Sequence, residues 1–222
     1  MQTDAKTTAG ARLKALFSYV GTTVLDLALP VSCAGCGRDG GALCVECAGA
    51  MPRLRQPYCT VCARPGAAGV CYPCLTEPPD FDAIRTPFIH DGVARTLVHR
   101  LKYANFRVYA GTMAALMSES LEMEPPNADM VAPVPMHPKR ERERGYNQSS
   151  LLAKELGRLL GLPVEAKALK KTRNTEPQVA LDTADERRRN VAGAFGCAGG
   201  VEGKRVLVVD DVVTTGATMS AC

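Results

Sequence analysis

No stretch of the 222 residues is apolar for the length that a membrane-spanning helix needs. A clear export signal is missing too. Arg12 and Lys14 could open one, but Asp26 interrupts the apolar run and Pro30-Val31-Ser32-Cys33 is a poor processing site. Both absences point to a cytoplasmic protein. No Gly-x4-Gly-Lys-Ser/Thr occurs, which argues against a nucleotide triphosphatase. Nor is one sign of charge in large excess: 27 Lys and Arg against 23 Asp and Glu leave +4, so the chain is not basic in the manner of a nucleic-acid coat. The run Gly35 to Gly40 matches Gly-x-Gly-x-x-Gly, but it sits among cysteines with no strand before it and reads as a chance match.

Cysteine is abundant, and it is clustered. Eight of the ten fall into four Cys-x-x-Cys knuckles: Cys33/Cys36, Cys44/Cys47, Cys59/Cys62 and Cys71/Cys74. That spacing puts two thiolates on one tight turn, and two such turns complete the tetrahedral four-sulfur site that Zn2+ prefers. A secreted disulfide scaffold is the alternative, and uniform Cys-x-x-Cys pairing counts against it. Sequential pairing gives Cys33, Cys36, Cys44, Cys47 at one site and Cys59, Cys62, Cys71, Cys74 at the other. A cross-brace is the rival scheme; the short loops inside each pair of knuckles, and a Met51–Pro57 stretch that reads as a linker, favour the sequential one. Large apolar residues are sparse here, so metal is expected to supply the fold of this module. Cys197 and Cys222 stand outside the pattern.

Three segments follow from periodicity and composition. Residues 1–30 carry an amphipathic helical stripe (Leu13, Leu16, Phe17, Val20, Val24, Leu27), residues 31–76 form the cysteine module, and Glu77-Pro-Pro-Asp80 reads as a hinge before a domain spanning 81–222. In that domain strands are expected at Arg85–His90, Met130–Val134, Pro163–Leu169 and Val206–Val209. Helices are expected around Val93–Leu101, at Arg107–Glu122, and at Gln148–Leu160 with Leu151, Leu152, Leu156, Leu159 and Leu160 inward. Alternation of the two implies an α/β fold with a doubly wound parallel sheet, whose ligands bind beyond the carboxyl ends of the strands.

The last expected strand ends on Asp210-Asp211, and a turn of hydroxyls and one glycine follows: Thr214, Thr215, Gly216 and Thr218. Backbone N–H groups of such a turn converge on one point and can hold a phosphate. The two carboxylates upstream can accept hydrogen bonds from a vicinal diol, so a sugar phosphate fits both halves. Basic clusters at Lys139–Arg144, Lys170–Arg173 and Arg187–Arg189 suit a polyanionic ligand.

This segment resembles the phosphoribosyl pyrophosphate (PRPP) motif of type I phosphoribosyltransferases. The resemblance implies that Asp210 and Asp211 hold the ribose hydroxyls and that Thr214, Thr215, Gly216 and Thr218 hold the 5-phosphate. Three more stretches resemble one branch, the ComF family (competence protein F), which pairs a double zinc ribbon with such a domain: Leu101-Lys102-Tyr103; Val131 to Pro135 running into Arg140, Arg142 and Arg144-Gly-Tyr-Asn-Gln148; and Arg173-Asn-Thr-Glu-Pro-Gln178, followed by Arg187 and Asn190. The resemblance implies PRPP bound with Mg2+ and displacement of pyrophosphate, Arg140, Arg144 and Arg173 steadying the leaving group and Lys102 and Pro135 lining the site. It names no acceptor. A second class of function, a PRPP-sensing adaptor that handles single-stranded DNA or meets DNA-uptake proteins, stays open, although Tyr58 and Tyr72 are the only aromatics near the knuckles. The family pattern also continues beyond the helix that holds Cys222, so one flank of the sheet is expected to be uncovered.

Overall fold

The computed structural model describes residues 31–103, 107–122, 124–176 and 182–222; the stripe at residues 11 to 29 and the Pro177-Gln178 pair lie outside the described residues. Two one-turn helices, α1 (Val45–Gly49) and α2 (Tyr72–Thr76), belong to the cysteine module. There follow α3 (Gly92–Tyr103), α4 (Arg107–Leu121), β1 (Met130–Pro133), α5 (Pro138–Arg144) and α6 (Gln148–Leu160). The remainder is β2 (Leu169–Lys171), α7 (Ala184–Val191), β3 (Phe195–Cys197), β4 (Val206–Val209) and α8 (Ala217–Ala221).

The central sheet is small and parallel. β1 pairs with β4, Met130 opposite Val206 and Pro133 opposite Val209, while Val164 joins β1 by a single parallel bridge on its other side. All four β1 residues are buried, as expected of a strand covered on both faces. The register starts at a clamp: Arg205 donates from its backbone N–H and its guanidinium to the Asp129 carboxylate, and the Asp129 N–H returns a bond to the Arg205 carbonyl at 2.8 Å. β2 and β3 form a separate antiparallel pair.

Two helices cover the sheet and build the core. α6 begins on Asn147, whose side chain accepts the Ser149 N–H at 3.0 Å, and stops at Gly161 in the left-handed region. Its buried face is Ser149, Leu152, Ala153, Leu156 and Gly157, which pack with Leu101, Ala110, Ala114, Val131 and Val209. The expectation that Leu159 points inward is corrected: it is 41% exposed, because it lies off the stripe that these residues define. Gly157 is required by proximity, since a Cβ there would lie 2.3 Å from the Val164 Cγ2 atom.

A second correction concerns Arg85–His90, expected as a strand of the sheet. It makes only one bridge, between Phe88 and Arg53, with Leu54 N–H donating to Pro87 O and Ile89 N–H to Pro52 O. The segment thus pairs with the stretch expected to be a linker, and that stretch is anchored: Met51 is 5% exposed in a cluster with Ala34, Ala42, Leu97 and Tyr109. The first half of the cysteine module therefore packs on α3 and α4. Tyr109, fully buried, donates its hydroxyl to the Ser32 carbonyl at 2.7 Å, and Arg100 donates to the same carbonyl at 3.1 Å. The Glu77–Asp80 hinge is tied as well, by an Arg188–Glu77 ion pair and by the Asp80 N–H on Ser220 Oγ at 3.1 Å. Beside β4 lies a cleft of about 930 Å3, walled by Phe81, Ile84, Met113, Leu116 and Met219 and reaching Asp210 to Thr215.

Candidate functional site

All ten cysteines are free thiols, and eight of them meet in the two sequential groups, the ligand atoms of each lying within 4.8 Å of one another. Sulfur separations of 3.7 Å (Cys33–Cys44), 3.8 Å (Cys36–Cys44) and 3.6 Å (Cys62–Cys71) fit the edge of about 3.8 Å that a tetrahedron with Zn–S of about 2.3 Å requires. The cross-brace is thereby excluded. The two halves repeat one backbone pattern. Cys33 N–H donates to Arg38 O as Cys59 N–H does to Arg64 O, and Cys44 N–H points at Cys33 Sγ as Cys71 N–H does at Cys59 Sγ. Burial pushes the Cys33 thiol up, but N–H groups of Cys36, Cys44 and Gly35 outweigh it and bring the group to about 5. In the same way Cys62, Cys71 and Val61 hold Cys59 at about 6. Hydrogen bonding with Cys44 and Cys33 pushes Cys47 up to about 12, and burial likewise pushes Cys74 up. Each group thus presents a thiolate at neutral pH, the form zinc binds. Arg38 lies against the first group, donating to Cys36 Sγ at 3.3 Å and pairing with Glu46. The donor chemistry fits two structural Zn2+ ions, closed and without an open coordination position.

The acid pair sits where β4 ends, at the carboxyl edge of the sheet. Asp210 Oδ1 accepts the Ser149 hydroxyl at 2.7 Å and the Asp211 N–H at 2.9 Å. Burial, then the neighbouring Asp211 charge, raises Asp210 to about 7, against the pull of Ser149 and Lys102. The Asp211 side chain is 5% exposed, and Lys102 Nζ approaches its Oδ2 at 2.8 Å. That contact is charge against charge, its angle being poor for a hydrogen bond, so Oδ2 has no hydrogen-bond donor among the described residues. Beyond the acids Gly216 takes a φ of +78° under the Phe81 ring, which a Cβ would meet at 3.3 Å, and turns the chain into α8. Thr214 is exposed, Thr218 is half-buried, and Thr215 Oγ1 lies 3.4 Å from the Ala217 N–H.

The other residues singled out in the sequence are engaged by the protein itself. Arg140 donates to the Thr175 carbonyl, Arg144 to Gln148 Oε1 at 2.7 Å, and Arg173 to the carbonyls of Asn190 (3.0 Å) and Ala192 (2.8 Å). Pro135 is half-buried just past β1. Asn190 bonds both backbone groups of Glu176, at 3.1 and 3.0 Å, so the 173–176 segment is laced to α7. Sequence reasoning missed Ser149 and Tyr146, whose hydroxyl bonds the Leu101 carbonyl beside Lys102; only their place in the Arg-Gly-Tyr-Asn-Gln-Ser run could have drawn notice.

Fold and site define an α/β protein with a small parallel sheet behind an N-terminal pair of four-cysteine zinc-binding modules. The family described as double zinc ribbon domain matches residues 24–75. Over 185 residues the chain is 32% identical to DNA utilization protein YhgH of Salmonella typhi, covering 80% of this chain and 81% of that one. It is 30% identical over 187 residues to competence protein F of Haemophilus influenzae (78% and 80% covered), and 25% over 191 residues to competence protein ComFC of Bacillus subtilis (80% and 74%). The chain belongs to this family of competence and DNA utilization proteins. No solved structure matches it. None of the helices among the described residues is long and apolar enough to cross a membrane.

Proposed function

We propose that the chain binds PRPP, carried with Mg2+, at the end of β4, and transfers its phosphoribosyl group to an acceptor with release of pyrophosphate. The observation that carries this reading is the acid pair at a strand's carboxyl end running into the Thr-Thr-Gly-x-Thr turn, with the cleft in front of it. Asp210 and Asp211 would accept the ribose hydroxyls, and the 214–218 turn would take the 5-phosphate. Magnesium supplies charge neutralisation on the diphosphate. Lys102, held on Asp211, offers a cation that can turn to the phosphates. Zinc holds the ribbons and stays outside the chemistry.

One observation favours a second reading, binding without turnover. Arg140, Arg144 and Arg173, which would steady departing pyrophosphate, are all tied to protein acceptors. Relatives named for DNA utilization and competence give that reading a role, a PRPP-sensing adaptor acting with single-stranded DNA or uptake proteins. Calorimetry with PRPP and Mg2+, alongside pyrophosphate release in the presence of candidate bases, separates the two. Asp211→Asn should weaken PRPP binding about tenfold or more, the loss expected for a charge-assisted hydrogen bond. Pyrophosphate release that Asp211→Asn abolishes supports transfer; binding without release, with salt-dependent DNA binding, supports the adaptor. No PRPP binding by the wild type refutes both.

A further inference from the structure

The Arg-Gly-Tyr-Asn-Gln-Ser run follows the basic helix α5, and its side chains bond to the protein on several sides. Asn147 caps α6, accepting the Ser149 N–H, and its amide donates to the Val134 carbonyl at 3.0 Å. Val134 in turn donates its N–H to the carbonyl of Val209, the residue before Asp210, at 2.9 Å. The first turn of α6 is therefore fixed to the very end of β4. The Ser149 side chain takes no part in capping; it is 1% exposed and donates its hydroxyl to Asp210 Oδ1 at 2.7 Å. Tyr146 reaches the other way, to the carbonyl of Leu101. Leu101 is in the last turn of α3, where carbonyls lack helical partners, and the next residue is Lys102, whose ammonium lies 2.8 Å from Asp211 Oδ2. Gly145, at a φ of +85°, makes the turn between α5 and these two hydroxyls, and Arg144 closes it on Gln148.

We propose that residues 144–149 are the positioning element of the acid pair: Ser149 holds Asp210 directly, and Tyr146 holds Asp211 through the backbone that carries Lys102. One short segment thereby sets the direction of one carboxylate and the counter-ion of the other. The value of this to ligand binding rests on the PRPP reading; the positioning itself does not. The bland alternative is that both hydroxyls only add stability to the α5–α6 turn. Against it, each hydroxyl reaches out of the turn, one to β4 and one to α3.

The electrostatic surroundings make the two ideas separable. Asp210 faces Asp211 on its own segment, Lys102 from α3, Ser149 from α6, Lys171 from β2 and Cys222 beyond α8. Of these only Ser149 is both uncharged and bonded to the carboxylate, so its removal changes the proton affinity without changing any charge. In ligand-free, zinc-loaded protein with 13C-labelled aspartate, Ser149→Ala should move the Asp210 carboxyl titration upward by about one pH unit. Ser149→Thr, which keeps a hydroxyl, should return it toward the wild-type midpoint. Tyr146→Phe should leave the fold intact and speed exchange of the Lys102 ammonium protons, followed through 15N, several-fold. An unmoved Asp210 titration in Ser149→Ala, or equal displacements in Ala and Thr variants, overturns the direct arm. Unchanged Lys102 exchange in Tyr146→Phe overturns the other. Failure of wild-type protein to bind PRPP would sink the functional reading and leave these outcomes standing.

Discussion

Asp210→Asn is expected to make the ligand-free protein more stable, and the gain should grow with pH in a defined window. The folded state raises Asp210 from 3.8 to about 7, chiefly by burial and then by Asp211. A tenfold change in proton affinity on folding is worth about 1.4 kcal/mol, so the ionised side chain costs the fold about 4 kcal/mol at most. Because Asp210 is only half-buried, its open side facing the cleft, solvent screens part of this, and about 2–4 kcal/mol is the working range. The sign is that of a carboxyl raised on folding. Between about pH 4 and pH 7 the native state keeps a proton that the unfolded chain has released, so stability falls as pH rises through that window and is level above it. Asparagine has no charge to lose, yet its amide oxygen can still accept from Ser149 and from the Asp211 N–H. Urea unfolding of zinc-loaded wild type and Asp210→Asn, run side by side from pH 6 to pH 8, cancels the pH dependence of the cysteines. The variant should be the more stable at pH 8, with the gap widening by about 1 kcal/mol across the range. Parallel curves, or a variant less stable than wild type at pH 8, would refute the electrostatic account. On the proposed PRPP reading, the same substitution should weaken PRPP binding, a trade of stability against function expected of a binding site.

Lys102→Ala leaves the Asp211 carboxylate, 5% exposed, without its counter-ion and should destabilise the fold by about 2–4 kcal/mol, less than a fully enclosed pair because Lys102 is 25% exposed; an unchanged urea midpoint would contradict this. In Gly35→Ala the new Cβ would sit 2.5 Å from Cys47 Sγ, so bound zinc per chain should fall from two toward one, and full retention of both ions would be inconsistent with the packing. Zinc uptake at pH 7 should release fewer than four protons per ion, since Cys33 and Cys59 are already ionised, while affinity falls as pH drops toward 5; calorimetry in buffers of different ionisation heat counts those protons, and four per ion would contradict the split. Chelating the zinc should speed amide exchange in α3 as well as in residues 33–47, because Gly35 backs onto Val93 and Ser32 is bonded to Arg100 and Tyr109; exchange confined to the cysteine segment would show that the two are uncoupled.

What could be read in the sequence was what local chemistry decides. Gln148–Leu160 is bounded by its own cap and its own glycine, Val206–Val209 by apolar residues and an abrupt acid pair, and the knuckles carry the spacing of a four-sulfur metal site. The misreadings of Arg85–His90 and of the Met51 stretch share one cause, a partner far along the chain. Arg85–His90 has the composition of a strand, but its hydrogen bonds go to Pro52 and Leu54, and nothing in its own pattern shows that. Met51 reads as part of a linker until Ala94, Leu97 and Tyr109 are seen around it. Residues that chemistry would aim at a ligand, Arg140, Arg144 and Arg173, are met first by carbonyl and amide oxygens of the protein. Ser149 is marked only by its place after the Arg-Gly-Tyr-Asn-Gln stretch, and its partner, Asp210, comes 61 residues later.

The two ribbons share a local geometry and differ in how they are attached. Their backbones repeat the same bonds around the first and third cysteines, and Ala63 even takes the left-handed conformation, φ +59°, that Gly37 takes in the first copy. A non-glycine residue held there signals that the geometry of the four-sulfur site outweighs the local strain. What differs is the attachment. The first ribbon gives Ala34, Ala42 and the Ser32 carbonyl to α4 and to α3, the helix that carries Lys102, whereas the second touches the domain through the Val61 and Thr60 carbonyls, which accept from Ile84 and Arg85. It leaves Tyr72 at 77% and Leu75 at 65% exposure. Two copies of one metal fold thus have unequal duties: the first is part of the frame that places the cation opposite Asp211, and the second is bonded to the segment that walls the cleft.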